Sequence, residues 1–227
     1  MRKKLQLYIM NPPDLPTGYT ELEYLESPST PDNLVVAYFV LPLPAVTSPN
    51  DTIMYETEHM FLPKGTIVQG EGCENNTSIF GIGNHGDWGK FVTIDGILNN
   101  PSALGNAYAD WNISFSCTNY EFHTLRHYLG NEWQLTIDGS LVVNEILEWH
   151  LPSTPKRTFY LFGAPQTSQV PRSLCGKKRT AKIWVNEELL YDLIPVLDET
   201  GTPGFFDKIS RKFFHNQGAG QFLYKIK

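Results

Sequence analysis

Apolar side chains in this chain return at every second residue, a period that fits strands with one buried face and does not fit an amphipathic helix. Ile113, Phe115 and Cys117 alternate with Ser114 and Ser116, and Trp133, Leu135 and Ile137 alternate with Gln134 and Thr136. The 18 glycines and 16 prolines among 227 residues cut the sequence into pieces of strand length,. Asp95-Gly96 and Asp138-Gly139 tolerate the positive φ of a tight turn, so each is expected to close a hairpin,. Leu34 to Leu41 and Phe159 to Phe162 are apolar at nearly every position, the pattern of strands covered on both faces near the centre of a sandwich,. Lys177 to Ile194 is long and lacks Gly and Pro, yet a helix there would set Lys182, Trp184 and Asn186 on conflicting faces,. Two strands are expected instead, Lys182 to Val185 and Leu189 to Ile194, around a turn at Asn186-Glu187-Glu188.

Charged residues make up only 19 % and aromatics 13 %, which excludes a disordered or coiled-coil chain,. The net charge of −6 repels nucleic acid and anionic lipid, so neither nucleic-acid binding nor membrane insertion is expected,. Cys73, Cys117 and Cys175 are odd in number and far apart, so they encode neither a disulfide framework nor a zinc ribbon, and a reducing place of synthesis fits them,. The basic start Met1-Arg2-Lys3-Lys4 is followed by a largely apolar run, Leu5 to Met10, that Asn11-Pro12-Pro13 ends before secretory length,. A soluble protein made without a signal peptide is the expectation, with any extracellular destiny reached by another route such as lysis. Sequons at Asn50, Asn75, Asn76 and Asn112 then count as chance matches,. Residues 1–14 read as an arm or edge strand on a stiff linker, and 15–227 as one domain without internal repeats,.

Two blocks carry a resemblance. Pro16-Thr17-Gly18-Tyr19-Thr20-Glu21-Leu22-Glu23-Tyr24-Leu25-Glu26-Ser27 resembles the opening of a concanavalin A-like, laminin G-like jelly-roll family common in phage, prophage and gut-bacterial surface proteins. Asp192-Leu193-Ile194-Pro195-Val196, Gly201-Thr202-Pro203-Gly204-Phe205-Phe206-Asp207-Lys208 and Lys212-Phe213-Phe214-His215-Asn216-Gln217-Gly218-Ala219-Gly220 resemble its closing block. Ser78-Ile79-Phe80-Gly81, Leu135 to Gly139 and Tyr160 to Ala164 fall between them in the order the family's strands require. The chain departs from the family over Pro28 to Phe39 and at Ala219, where the family has Thr. The resemblance implies an all-β, concanavalin A-like jelly-roll β-sandwich of two antiparallel sheets, with Phe205, Phe206, Phe213, Phe214 and Phe222 sealing one end. It implies a phage-type virion structural or adhesion protein, capsid-decorating, fibre or tail-associated. Its partners would be other virion structural proteins and host cell-surface glycans, and it would form a homo-oligomer. Alternatives from other classes are a glycoside hydrolase or lyase and a bacterial surface lectin.

Candidate chemistry is sparse. A glycosidase needs two carboxylates astride a sugar bond. Glu56 and Glu58 share one strand face opposite Tyr55 and Phe61, but a third acid is lacking; the bland reading is a wet strand face. Glu145 and Glu148 form a second pair in the loop-like stretch Asn144 to Trp149. Gly81-Ile82-Gly83-Asn84-His85-Gly86 satisfies the dinucleotide spacing without the helix that motif needs, so no cofactor is expected,. His123 and His127 have the spacing of helical zinc ligands, but on a strand they stand about 13 Å apart, too far for one metal. His59 falls in the apolar parity of its strand and reads as a hydrogen-bonded core residue. No metal site is specified, calcium included. Two loops combine aromatics with Asp and Asn: Asn84, His85, Asp87 and Trp88 in one, Tyr108, Asp110, Trp111 and Asn112 in the other. That set suits sugars, which stack on rings and hydrogen-bond to carboxylates and amides. It equally suits a Trp covering a sandwich edge or a subunit contact. Lys177-Lys178-Arg179 reads as a solvated basic turn.

Overall fold

The computed structural model describes residues 15–28, 35–44, 51–61, 80–81, 91–92, 102–106, 109–113, 121–129, 132–146, 157–164, 172–173 and 176–227. The described elements are all strands. In chain order they are β1 (Thr20–Glu26), β2 (Phe39–Leu43), β3 (Ile53–Phe61), β4 (Phe80–Gly81), β5 (Phe91–Val92) and β6 (Ser102–Asn106). Next come β7 (Ala109–Ile113), β8 (His123–Leu129), β9 (Glu132–Ile137), β10 (Ser140–Ile146), β11 (Arg157–Leu161) and β12 (Gly163–Ala164). The last six are β13 (Arg172–Ser173), β14 (Gly176–Val185), β15 (Glu188–Leu197), β16 (Pro203–Asp207), β17 (Lys212–Phe214) and β18 (Leu223–Ile226).

Ten of these form one sheet in the order β10-β9-β8-β3-β14-β1-β15-β16-β17, with β18 on β1. Every pairing is antiparallel. The strand alternation sorts side chains as the sequence pattern requires. On β3, Tyr55, Thr57 and His59 are buried while Glu56 and Glu58 point outward, and on β8 Leu125 and His127 are buried between exposed Thr124 and Arg126. The inner face packs on β2 and β11, which pair from Phe39↔Leu161 to Leu43↔Arg157. Phe39 is the hub of this second layer, stacked on Phe222 at 4.8 Å and edge-on to Phe205 at 5.0 Å. Such ring pairs add to the burial of the apolar area itself.

The closing motif acts as a clamp between the layers. The Asn216 amide oxygen accepts from the backbone N–H groups of Tyr38 (3.0 Å) and Gly218 (2.8 Å), and its amide nitrogen donates to the Gly220 carbonyl. Gln217 and Gly220 N–H donate to the Tyr38 and Val36 carbonyls. A Cβ on Gly218 would lie 2.2 Å from the Val36 oxygen, so the approach is open to glycine alone,. Phe205, Phe206 and Phe222 are buried at this end and Phe213 and Phe214 half-buried.

Both hairpins expected within the described residues form. Asp138 and Gly139 take φ of 50° and 78° between β9 and β10, and Asn186 and Glu187 take 51° and 66° between β14 and β15. The strands of the second hairpin are longer than expected, because each continues along β3 or β16 beyond its own partner. Asp95-Gly96 and residues 1–14 lie outside the described residues.

Three expectations are corrected. Within Leu34 to Leu41 the described residues, from Val35 on, become strand only at Phe39, and Val40 and Pro42 face outward, because the described part of this layer is covered on one face only. Phe159 and Leu161 alternate likewise around outward Tyr160, and Phe162 turns inward through a φ of 62°. Glu145 lies in strand β10, opposite Trp133, where a loop was expected, while Glu148 is outside the described residues. Lys177-Lys178-Arg179 is strand, not turn, and Lys178 is fully buried. A register shift against β3 between Lys178 and Thr180 switches the inward parity, so Lys178 and Ala181 both face the core although they stand an odd number of positions apart,.

Candidate functional site

The main sheet branches, and the branch makes a groove. Near its hairpin β14 pairs with β15, Ala181 opposite Leu193. Further back β1 comes between them, with Leu25 opposite Lys178 and Glu21 opposite Val196. Where the ladders part, the outward face opens into a cavity of about 320 Å³ whose polar lining is Glu21, Glu23, Glu58, Arg179, Thr180 and Lys227. That volume lies at the lower end of small-molecule sites.

The charges there are ordered. Glu23 accepts from Lys225 at 2.6 Å and from Arg179 at 2.8 Å. These hydrogen bonds, Lys225 first and Arg179 second, hold its carboxyl below the usual carboxylate range,. Lys227 meets Glu21 at 2.6 Å. The Arg179 guanidinium also lies 3.8 Å from the centre of the Phe122 ring, and Lys177 lies 4.7 Å from that of Tyr24. Tyr24 and Phe122 pack with centroids 6.0 Å apart, so aromatic and cationic groups interleave beside the groove,.

Glu56 and Glu58 differ in their surroundings. Glu56 stands between Arg126 and Lys182 in the ladder and accepts from Arg126 Nε at 2.7 Å. Glu58 stands between Thr124 and Thr180, and among the described residues no cation lies within ion-pair distance of it. Glu58 lines the groove and Glu56 does not, so the pair does not converge on one cleft.

Beneath β14, on the inner face, lies a second polar cluster. Lys178 Nζ donates to the Tyr55 hydroxyl (3.0 Å) and to Thr57 Oγ1 (2.9 Å), and stands 3.4 Å from His59 Nδ1. Thr57 Oγ1 in turn donates to the Thr180 carbonyl at 2.7 Å. An ammonium can only donate, so His59 Nδ1 is the acceptor and the His59 proton sits on Nε2,. Burial, then the nearby Lys178 charge, pushes the His59 imidazole well below its ordinary value and takes His127 down to about 3. Tyr55, Thr57, His59, His127 and Lys178 are all fully buried, so this cluster organises the core and offers no surface to a ligand.

Of the residues singled out for sugar binding, Asn84, His85, Asp87, Trp88 and Tyr108 lie outside the described residues. Asp110, Trp111 and Asn112 lie on β7, opposite Gly105, Leu104 and Ala103 of β6. His123 and His127 are on a strand, as expected, and His123 Nδ1 bonds Asp138 at 2.6 Å. His59 is a buried, hydrogen-bonded core residue, also as expected. Among the described residues no group of three or more His, Cys, Asp or Glu is placed to hold a metal ion, and no helix is long and apolar enough to cross a membrane.

No protein-family model matches the sequence, and none of the curated proteins does. Solved structures do match. One is described as a "putative carbohydrate binding protein" from Bacteroides ovatus ATCC 8483, with a TM-score of 0.54 at 10 % identity over 91 % of this chain and 60 % of that one. This chain thus spans less than two thirds of its length. The fold is a concanavalin A-like jelly roll. Another match is the mouse laminin α1 chain, domains LG4-5, with a TM-score of 0.44 at 13 % identity over 80 % of this chain and 45 % of that one.

The sequence singled out Glu58 but missed Glu21, Glu23, Arg179, Thr180 and Lys227. With Glu58 they come from three strands, β1, β3 and β14, and the chain end, and only the sheet's branching brings them together. Period-two parity alone, with its outward acids on β1 and β3, was the one available signal.

Proposed function

We propose that this chain is a lectin-like, glycan-binding module, with the branch-point groove as its binding site. The observation that carries the reading is the groove itself: a sugar-sized opening lined by carboxylates, a guanidinium and a hydroxyl beside an aromatic pair. Carboxylates accept from sugar hydroxyls and guanidinium donates to them, while the ion pairs hold both in place. The fold shared with the Bacteroides ovatus protein supports a binding role. The aromatic stretch around Trp88 and strand β7 with Trp111 are proposed as further glycan contacts.

A glycan array probed with the purified chain tests this. Binding that falls at least tenfold in Arg179→Ala supports the groove; an array silent for the wild type removes the reading. The hydrolase alternative predicts polysaccharide turnover that disappears in Glu58→Gln.

As to setting, we propose display on a phage-type virion as a structural or adhesion subunit, homo-oligomeric and bound to neighbouring virion proteins. The resemblance of the opening and closing blocks supports it. A bacterial surface lectin fits the same observations. Immunogold labelling of purified particles separates the two, since a protein absent from particles is no virion component.

A further inference from the structure

Glu58 differs from the other described groove acids in that no cation among the described residues lies within ion-pair distance of it. Glu21 is held by Lys227, and Glu23 is shared by Lys225 and Arg179. The paired cations of the groove therefore gather at the Glu23 end, and a carboxylate without an ion-pair partner among the described residues marks the Glu58 end. Its cross-strand neighbours on both sides are threonines, Thr124 on β8 and Thr180 on β14, and directly opposed pairs bring Cβ atoms to about 5 Å,. Thr124 is exposed on the same outward face, and Thr180 lines the groove with Glu58. A carboxylate flanked by two hydroxyls offers acceptors in three directions. That number matches an ammonium group, which carries three N–H donors and no acceptor. Hydroxyl acceptors serve the chain's own buried ammonium too, since Lys178 Nζ donates to the Tyr55 hydroxyl and to Thr57 Oγ1. A uronate or sulfate at this end would meet like charge, and an N-acetyl group would bring one donor where three are sought.

We propose, resting on the glycan-binding reading above, that the Glu58 end of the groove takes the protonated amine of an amino sugar, so that the module prefers glycans with unacetylated hexosamine. Glu58 supplies the counter-charge and Thr124 and Thr180 the remaining acceptors. The Arg179 and Glu23 end takes hydroxyls of the adjoining residue.

The test compares a glucosamine tetramer with an N-acetylglucosamine tetramer by calorimetry at pH 6, in low and in moderate salt. The expected result is at least tenfold tighter binding of the free-amine oligomer, weakened by salt. Glu58→Gln is expected to bring the two ligands level while the thermal midpoint stays unchanged. Glu56→Gln, whose partner is Arg126, is expected to leave the preference intact. Equal binding of both tetramers by the wild type, or a preference that survives Glu58→Gln, overturns the proposal while leaving the lectin reading in place. Tighter binding of a lysine-rich peptide than of the glucosamine oligomer also overturns it. An array on which no glycan binds overturns both.

Discussion

Gly176 lies against the ring of His59: a Cβ built on Gly176 would fall 2.6 Å from His59 Nε2 and 2.8 Å from the Met60 carbonyl oxygen. The ring cannot retreat, because its other nitrogen faces Lys178 and it is fully buried. Gly176→Ala is therefore expected to cost about 1–3 kcal/mol through overpacking. Urea unfolding of the variant measures it, and a cost below about 0.5 kcal/mol would mean that the contact yields.

The same cluster predicts a larger effect at Lys178. On a solvated turn its replacement would be nearly silent, within about 0.5 kcal/mol. In the core, Lys178→Met takes the donor from the Tyr55 hydroxyl, Thr57 Oγ1 and His59 Nδ1, and each buried acceptor left unmatched costs on the order of 1–3 kcal/mol,. A loss of at least 3 kcal/mol is expected, read by chemical denaturation beside Lys177→Met. Lys177 pairs with Glu26 at 3.4 Å while partly exposed, and its variant should lose less than 1 kcal/mol,.

Acid should unfold this core early. His59 and His127 both have folded-state values below the ordinary 6.5, through burial first and the Lys178 charge second. The unfolded chain therefore takes up these protons before the folded one. Stability is fully present above 6.5, falls as pH drops below it, and for His127 goes on falling to about 3,. Each histidine contributes a slope of roughly 1.4 kcal/mol per pH unit. Between pH 6 and 4.5, above the range where Asp138 titrates, urea midpoints should decline with a slope near two protons. His127→Gln should bring that slope to near one. A flat profile would show that neither ring resists protonation.

Period two made part of this sandwich legible in advance, although Ser114 to Cys117 of the stretch Ile113 to Cys117 lie outside the described residues. It identified β9 and the shared outward face of Glu56 and Glu58 on β3, and Asp138-Gly139 marked one hairpin turn, because each depends on neighbours in sequence. Lys178 was hidden for two reasons. Lysine is seldom fully buried, and the bulge beside Thr180 breaks the parity that would have aimed it inward,. A clue did exist in Thr57 and His59, polar residues on the apolar face of β3 that require a polar partner from another strand,. The groove was less accessible still, since Glu21, Glu58, Arg179 and Lys227 meet only where β1 enters between β14 and β15, and no local pattern encodes that pairing.

The second hairpin offers a gain in stability. Asn186 and Glu187 both adopt left-handed φ, 51° and 66°. Asn186 is held there, accepting from Thr52 N–H and donating to Asp51, each at 2.8 Å. Glu187 is exposed, and its Cβ makes the left-handed backbone costly by about 1–2 kcal/mol, of which glycine's greater unfolded-state freedom offsets part,. Glu187→Gly creates the Asn-Gly pair that such turns favour. It should add about 0.5–1 kcal/mol and raise the thermal midpoint by roughly 1–4 °C. Asn186→Gly, which discards the side-chain bonds along with the Cβ, should fail to stabilise. A midpoint lowered by Glu187→Gly would show that the Glu187 side chain contributes more than its backbone strain costs.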